Sequence, residues 1–256
     1  MPDWLPIAAS TYADDIDGLI LLITVIVGIW FVIAEAVLFY LIFRYRRRKD
    51  RKPEYVDGSR RKQVAWILVP CVAILACDLV IDAASARVWD TMKQTNPKPD
   101  MTVRVDGRQW AWDLTNPGPD RVLDTADDVK LMNELHVPAG EVVRFELRSL
   151  DTLHSLWVPE LRLKQDAVPG RTFQGWFEAT KPGEYGILCA ELCGVAHGVM
   201  KGKLIVHESG DYQAWLRSAQ AAAATSATAT ASAPVATAAA APAAPAGTPG
   251  AARSTP

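Results

Sequence analysis

Two patterns of hydrophobic and polar positions divide the chain. From Leu19 to Phe43 it reads LILLITVIVGIWFVIAEAVLFYLIF, 25 residues with a single charge, Glu35. A helix of that length spans a bilayer core of about 30 Å. The run is too long for a signal-peptide core, and the residues before it are acidic (Asp14, Asp15, Asp17) rather than basic. A second apolar run, VAWILVPCVAILACDLVIDAA, covers 64–84 and predicts a second crossing that ends near the interface between Ala83 and Trp89, its far end weakened by Asp78 and Asp82. Residues 44–62 between the runs hold ten Lys or Arg against three acids. So basic a short loop stays in the cytoplasm, which places both termini on the far side of the membrane. Glu35, at membrane depth, is a candidate functional acid or a contact with a partner subunit.

Beyond residue 100 the period shortens. The stretches MTVRVDGRQWAWDL, NELHVPAG, EVVRFELRSL, RTFQGWFEAT and KGKLIVHE are short, rich in Val, Phe, Leu and Trp, and several are separated by Pro-Gly or Ala-Gly steps. That spacing predicts an all-β sandwich or barrel of Greek-key type. DYQAWLRSAQAAAA (211–224) predicts a short terminal helix. After Ser218 the chain is almost entirely Ala, Pro, Thr and Ser without aromatics, a composition that cannot bury a core and reads as a disordered tail. The divisions are therefore an N-terminal extracytoplasmic segment 1–18, a helical hairpin 19–89 with the basic loop 44–62, an extracytoplasmic β domain 90–217 and a tail 218–256.

The formal net charge of -2 gives no sign of nucleic-acid binding. Four cysteines do not form a secreted disulfide framework: Cys71 and Cys77 lie in the second apolar run, and Cys189 and Cys193 lie in CAELCGVAHGVM (189–200). The tail holds no Cys-x-x-Cys-His and so is not expected to carry a fused c-type haem domain.

CAELCGVAHGVM holds Cys193, His197 and Met200, three members of a mononuclear blue-copper set. His154, in TLHSLWVPE at the end of a predicted strand, supplies the fourth, in the order a cupredoxin sandwich provides. Cys189 is then one thiolate too many for one copper. Two thiolates can bridge two coppers, each also holding one imidazole and a weak ligand such as Met200 or a backbone carbonyl. Spreading one electron over two metals keeps bond lengths nearly constant on reduction. Zinc would take Cys2His2 but has no use for the methionine, and a Cys189–Cys193 disulfide is a further alternative. His136 and His207 lie in strand-like segments with no thiol nearby and read as structural. The acidic loop PGPDRVLDTADD (117–128) lacks EF-hand spacing.

LHSLWVPELRLKQDAVPGR and CAELCGVAHGVM together resemble the two signature segments of subunit II of haem-copper oxidases, and DGRQWAWDL resembles that family's aromatic segment. The likeness runs from about residue 18 to 217. It implies a two-helix membrane hairpin followed by a cupredoxin-like Greek-key sandwich. It also implies a binuclear copper centre, CuA, with His154 and His197 as imidazole ligands, Cys189 and Cys193 as bridges, and Met200 and the Glu191 carbonyl as weak ligands. The Glu191 side chain would share a Mg2+ with the large haem-containing subunit, Trp110 would receive electrons from cytochrome c, and Asp166 would lie at the large-subunit interface. The implied location is a bacterial inner membrane with the copper domain in the periplasm. A CuA subunit of a nitric oxide reductase and a membrane-tethered copper-binding protein are the alternatives.

Three features depart from the family pattern. Ala111 stands where an aromatic residue is usual between Trp110 and Trp112. Gln63 replaces a glutamate that many members carry at the mouth of a proton pathway. The 117–128 loop is an insertion. Residues 100–217 carry 18 acids and 13 bases, and an acidic surface steers a basic donor mainly through its on-rate.

Overall fold

The computed structural model describes residues 5–49, 52 and 55–231. The first apolar run lies within helix α1 (Ala13–Tyr45) and the second within α2 (Arg61–Trp89). Both apolar runs are hydrophobic around the whole helix, and almost none of their side chains is buried within this chain. A helix of that kind requires lipid or another protein around it. Trp30 Nε1 donates to Cys77 Sγ at 3.4 Å between the two helices. Gln63, at the start of α2, accepts from the Arg60 amide through its side chain, satisfying one of the free donors of a helix N-terminus. A π-helical turn, Asp90–Gln94, ends α2.

Ten strands follow among the described residues: β1 (Met101–Arg108), β2 (Ala111–Asn116), β3 (Val129–Met132), β4 (Glu134–Pro138), β5 (Val142–Ser149), β6 (His154–Val158), β7 (Leu163–Ala167), β8 (Thr172–Glu178), β9 (Gly183–Cys189) and β10 (Lys201–His207). They form two five-stranded sheets, ordered β3-β2-β1-β5-β8 and β4-β10-β9-β6-β7. Most pairs are antiparallel, whereas β1 with β5 and β10 with β4 are parallel, as crossovers between the sheets require. The period of two decides which side chains face the core. Along β1 Met101, Val103 and Val105 are buried while Thr102, Arg104 and Asp106 face outward, and on β5 Val143, Phe145 and Leu147 face in. Outward charges pair across strands, as in Arg148 with Asp106 at 2.7 Å.

Helix α3 (Ser209–Ala231) packs on the second sheet through Tyr212 and Trp215, and its Leu216 is buried in the core. The Trp215 ring stacks on His136 with centroids 3.8 Å apart, and His136 shares a hydrogen bond with His207. The helix expected over 211–224 lies within α3, which continues to Ala231 through residues whose composition predicts disorder. Alanine has the highest helix propensity of all residues, so a segment that cannot build a core still extends a helix already anchored at its N-terminal end. Residues 232–256 of the expected tail lie outside the described residues.

The N-terminal segment is joined to the sandwich. Ala9, Tyr12 and Ala13 are buried, Ala9 and Tyr12 among the sandwich core residues, and Ser10 bridges Ala179 at the end of β8.

Candidate metal centre

Three loops converge at one end of the sandwich: the β1–β2 turn at Gln109 and Trp110, the β5–β6 loop at Leu150–Leu153, and the β9–β10 loop from Ala190 to Met200. His154 is the first residue of β6 and Cys189 the last of β9. These strands are antiparallel neighbours, with Leu156 opposite Cys189. Pairing alone therefore brings a histidine to a thiol 35 residues away.

The donor atoms face one another. Cys189 Sγ lies 3.9 Å from His154 Nδ1 and 3.8 Å from Cys193 Sγ. Cys193 Sγ lies 3.7 Å from His197 Nδ1 and 3.8 Å from Met200 Sδ. The Glu191 carbonyl oxygen is 3.3 Å from Cys189 Sγ. Cys189, Cys193, His154 and Met200 are buried, and His197 is half-buried. The sulfur–sulfur separation is far beyond the roughly 2.05 Å of a disulfide, and both cysteines are free. Burial, together with the hydrogen bond and charge of Cys189, pushes the Cys193 thiol up to about 11. A cation must therefore displace thiol protons as it binds.

Both imidazoles present Nδ1 to the thiols, and Asp151 sets the tautomer of one. Asp151 Oδ1 lies 2.8 Å from His154 Nε2. A carboxylate only accepts, so Nε2 holds the proton and Nδ1 offers its lone pair to the sulfurs. The same carboxylate accepts from the Gln109 amide at 2.6 Å and from the Thr152 amide at 2.6 Å. Partial burial opposes ionisation of Asp151, but these hydrogen bonds prevail and hold its carboxyl below the usual range. Gln109 Nε2 also donates to the Cys193 carbonyl at 2.7 Å. Gln109 and Asp151 thus tie all three loops together, and the sequence reading names neither. The one sequence signal for Asp151 is its position three residues before His154.

The two tryptophans of the aromatic segment separate. Trp112 is fully buried with its ring edge-on to His154, centroids 6.0 Å apart. Trp110 is 37% exposed and lies over the β9–β10 loop. A Cβ at Gly194 would stand 3.1 Å from Trp110 Nε1, and Gly194 has φ +128°. A residue without a side chain lets the indole reach the loop backbone there.

Sulfur and imidazole nitrogen in this proportion suit copper. The seven residues expected at the site fall as follows: His154, Cys189, Cys193, His197 and Met200 share one buried cluster, Glu191 contributes a carbonyl beside it and an exposed side chain, and Trp110 lies on its outer rim. His136 and His207 are at the α3 side, held by each other and by Glu134. Asp166 on β7 is exposed, opposite Ser155. Asp124 of the acidic insertion is spent on Arg104 at 2.5 Å.

Residues 101–208 match the family model described as cytochrome c oxidase subunit II, periplasmic domain. The chain is 34% identical over 256 aligned positions to the alternative cytochrome c oxidase subunit 2 of Bradyrhizobium diazoefficiens, covering 87% of this chain and 86% of that one. Over 269 aligned positions it is 30% identical to cytochrome c oxidase subunit 2 of a Synechocystis species, covering 86% and 77%. Among solved structures, the periplasmic domain of subunit II of the Bradyrhizobium japonicum cytochrome oxidase aligns with a TM-score of 0.44 at 28% identity, over 49% of this chain and 97% of that one.

Proposed function

The chain belongs to the cytochrome c oxidase subunit II family, and from that premise we propose that it carries electrons into a respiratory terminal oxidase through a binuclear copper site. The observation that carries this reading is the converging donor set, in which two thiols, two imidazole Nδ1 atoms and a thioether sulfur are linked by contacts of 3.7 to 3.9 Å. When bound, a dicopper group would supply a one-electron carrier that changes little in shape between its two states.

Each residue has a distinct task. Cys189 and Cys193 would bridge the metals, His154 and His197 would each take one, and Met200 and the Glu191 carbonyl would be weak ligands. Asp151 holds His154 in the ligating tautomer. Gln109 holds the Cys193 backbone. Burial of Met200 and Cys193 keeps water from the sulfurs. Trp110, at once exposed to solvent and packed on the metal-binding loop, is the contact a donor such as cytochrome c would use. The exposed Glu191 side chain is free to share a Mg2+ with the large haem-containing subunit. The chain is a membrane-anchored member of the oxidase complex, and the basic loop between its two helices supports a periplasmic side for the copper domain. Reduction of O2 to water would take place in the large subunit.

Mixing reduced cytochrome c with the assembled complex tests the reading. The near-infrared copper band bleaches first and the haem reduces afterwards. Trp110→Ala slows the first phase at unchanged copper content, and a variant with both phases unchanged shows that Trp110 is not the electron-input residue.

A further inference from the structure

The N-terminal segment and the sandwich are locked together by an ion pair 145 residues apart in sequence. Arg162 Nε donates to Asp17 Oδ1 at 2.6 Å and Nη2 to Oδ2 at 2.9 Å, a two-point fork. Both side chains are buried, at 7% and 3% exposure. The same guanidinium donates to the carbonyls of Pro159 and Pro6, each at 2.6 Å. Arg162 sits in the left-handed region, φ 55° and ψ 25°, which costs a non-glycine residue free energy and persists only where surrounding contacts enforce it.

Backbone bonds continue the contact. The Ala9 amide donates to Glu160 O, the Thr11 amide to Glu178 O and the Thr180 amide to Ala9 O. Ser10 Oγ donates to Leu161 O. Asp17 lies only two residues before the apolar run of α1. Arg162 lies just past the 3-10 turn Pro159–Leu161, which follows the strand that begins with His154. A five-residue strand is about 16 Å long, so the ion pair cannot touch the metal ligands. Its position joins the membrane end of α1 to the rigid strand that carries one of them. Trp176 completes the grip by packing edge-on against Tyr12 and donating from Nε1 to Thr95 O, in the linker that follows α2.

We propose that Asp17 and Arg162 form a latch that fixes the orientation of the copper domain over its membrane helices, making them positioning residues for electron exit to the haem subunit. This rests on the copper reading above. In the step concerned one electron leaves the copper site and one haem iron is reduced, with no bond made or broken. Transfer of that kind depends steeply on distance, so a domain that rocks loses exit rate before it loses copper or donor docking.

The test uses the assembled oxidase with the double variant Asp17→Leu/Arg162→Met. Removing both charges leaves neither buried and unpaired, which is the usual reason single variants of such pairs misfold. Two readouts are taken. Amide hydrogen exchange at Ala9, Thr11 and Thr180 rises on the order of tenfold or more as the segment opens. Copper content and the rate of copper reduction by cytochrome c stay at wild-type values, while the following haem reduction slows on the order of tenfold or more. Raised exchange with an unchanged haem step overturns the positioning role, as does unchanged exchange. Copper loss with both steps falling together also overturns it, because the pair then merely supports the metal site. A wild-type complex whose copper is not reduced before its haem removes the copper reading itself, and the latch with it.

Discussion

Replacing Asp151 with alanine should weaken copper binding without removing a ligand. The carboxylate has three donors in the structure: His154 Nε2 at 2.8 Å, the Gln109 amide at 2.6 Å and the Thr152 amide at 2.6 Å. His154 is fully buried while Asp151 is exposed, so in the alanine variant only a solvent water entering the vacated space could meet Nε2–H, without the charge and fixed position of the carboxylate. A buried donor left unpaired costs about 1–3 kcal/mol. Loss of an outer partner of a ligating histidine typically lowers metal affinity by about 10- to 100-fold. The imidazole would also be free to turn its protonated nitrogen toward the thiols. Asp151→Asn provides a graded control, because its remaining oxygen can accept from His154 and Thr152 while only the Gln109 amide loses its partner. Competition titration against a copper chelator, with the full chain in detergent, should therefore rank affinity as wild type, then Asn, then Ala. An Asp151→Ala affinity within about twofold of wild type would refute the reasoning, since that lies well below the range for an outer partner of a ligand.

Two further outcomes follow from the geometry. Gly194→Ala forces a side chain into φ +128° and against Trp110 and Gln109, at a cost of about 1–3 kcal/mol; it should slow electron input from cytochrome c in stopped-flow measurements while copper content is retained, and an unaltered rate would show that Trp110 does not depend on this close approach. Burial holds His136 below the ordinary imidazole value against the pull of Glu134, and burial likewise lowers His207. The unfolded chain then binds more protons as pH falls through the unperturbed histidine value of about 6.5, so stability present above that pH declines below it. Thermal melts of the detergent-solubilised chain between pH 7.5 and 5 should show this decline, and His136→Gln, which cannot titrate, should flatten it; an equally steep decline in the variant would assign the effect elsewhere.

Legibility in the sequence followed chain distance. The apolar runs at 19–43 and 64–84 lie within α1 and α2 because helix and bilayer are both local requirements on composition. Four ligand candidates within twelve residues, Cys189 to Met200, declare a metal site by density alone. His154 could be added because the ligand order, a histidine at a strand end before a Cys-His-Met loop, and the family resemblance both point to it. Asp151 and Gln109 were not legible, since an Asp and a Gln in loops have many uses and only the folded turn places them on His154 and the Cys193 carbonyl. Asp17 read as a flanking acid of a membrane helix, and nothing local ties it to Arg162. The aromatic pair was half legible: period two puts Trp110 and Trp112 on one face, but the β1–β2 turn carries Trp110 out over the metal loop and leaves Trp112 in the core. At the C-terminal end the helix over 211–224 was legible, but composition, which reported the lack of a core, did not show that alanine needs none to carry the helix on to Ala231.

Metal counting with electron paramagnetic resonance on the copper-loaded full chain tests the central claim most directly. The account predicts two coppers per chain and one unpaired electron shared equally between them, lost in Cys189→Ser. One copper per chain with a single-copper blue spectrum, or a shared signal that survives Cys189→Ser, would contradict it.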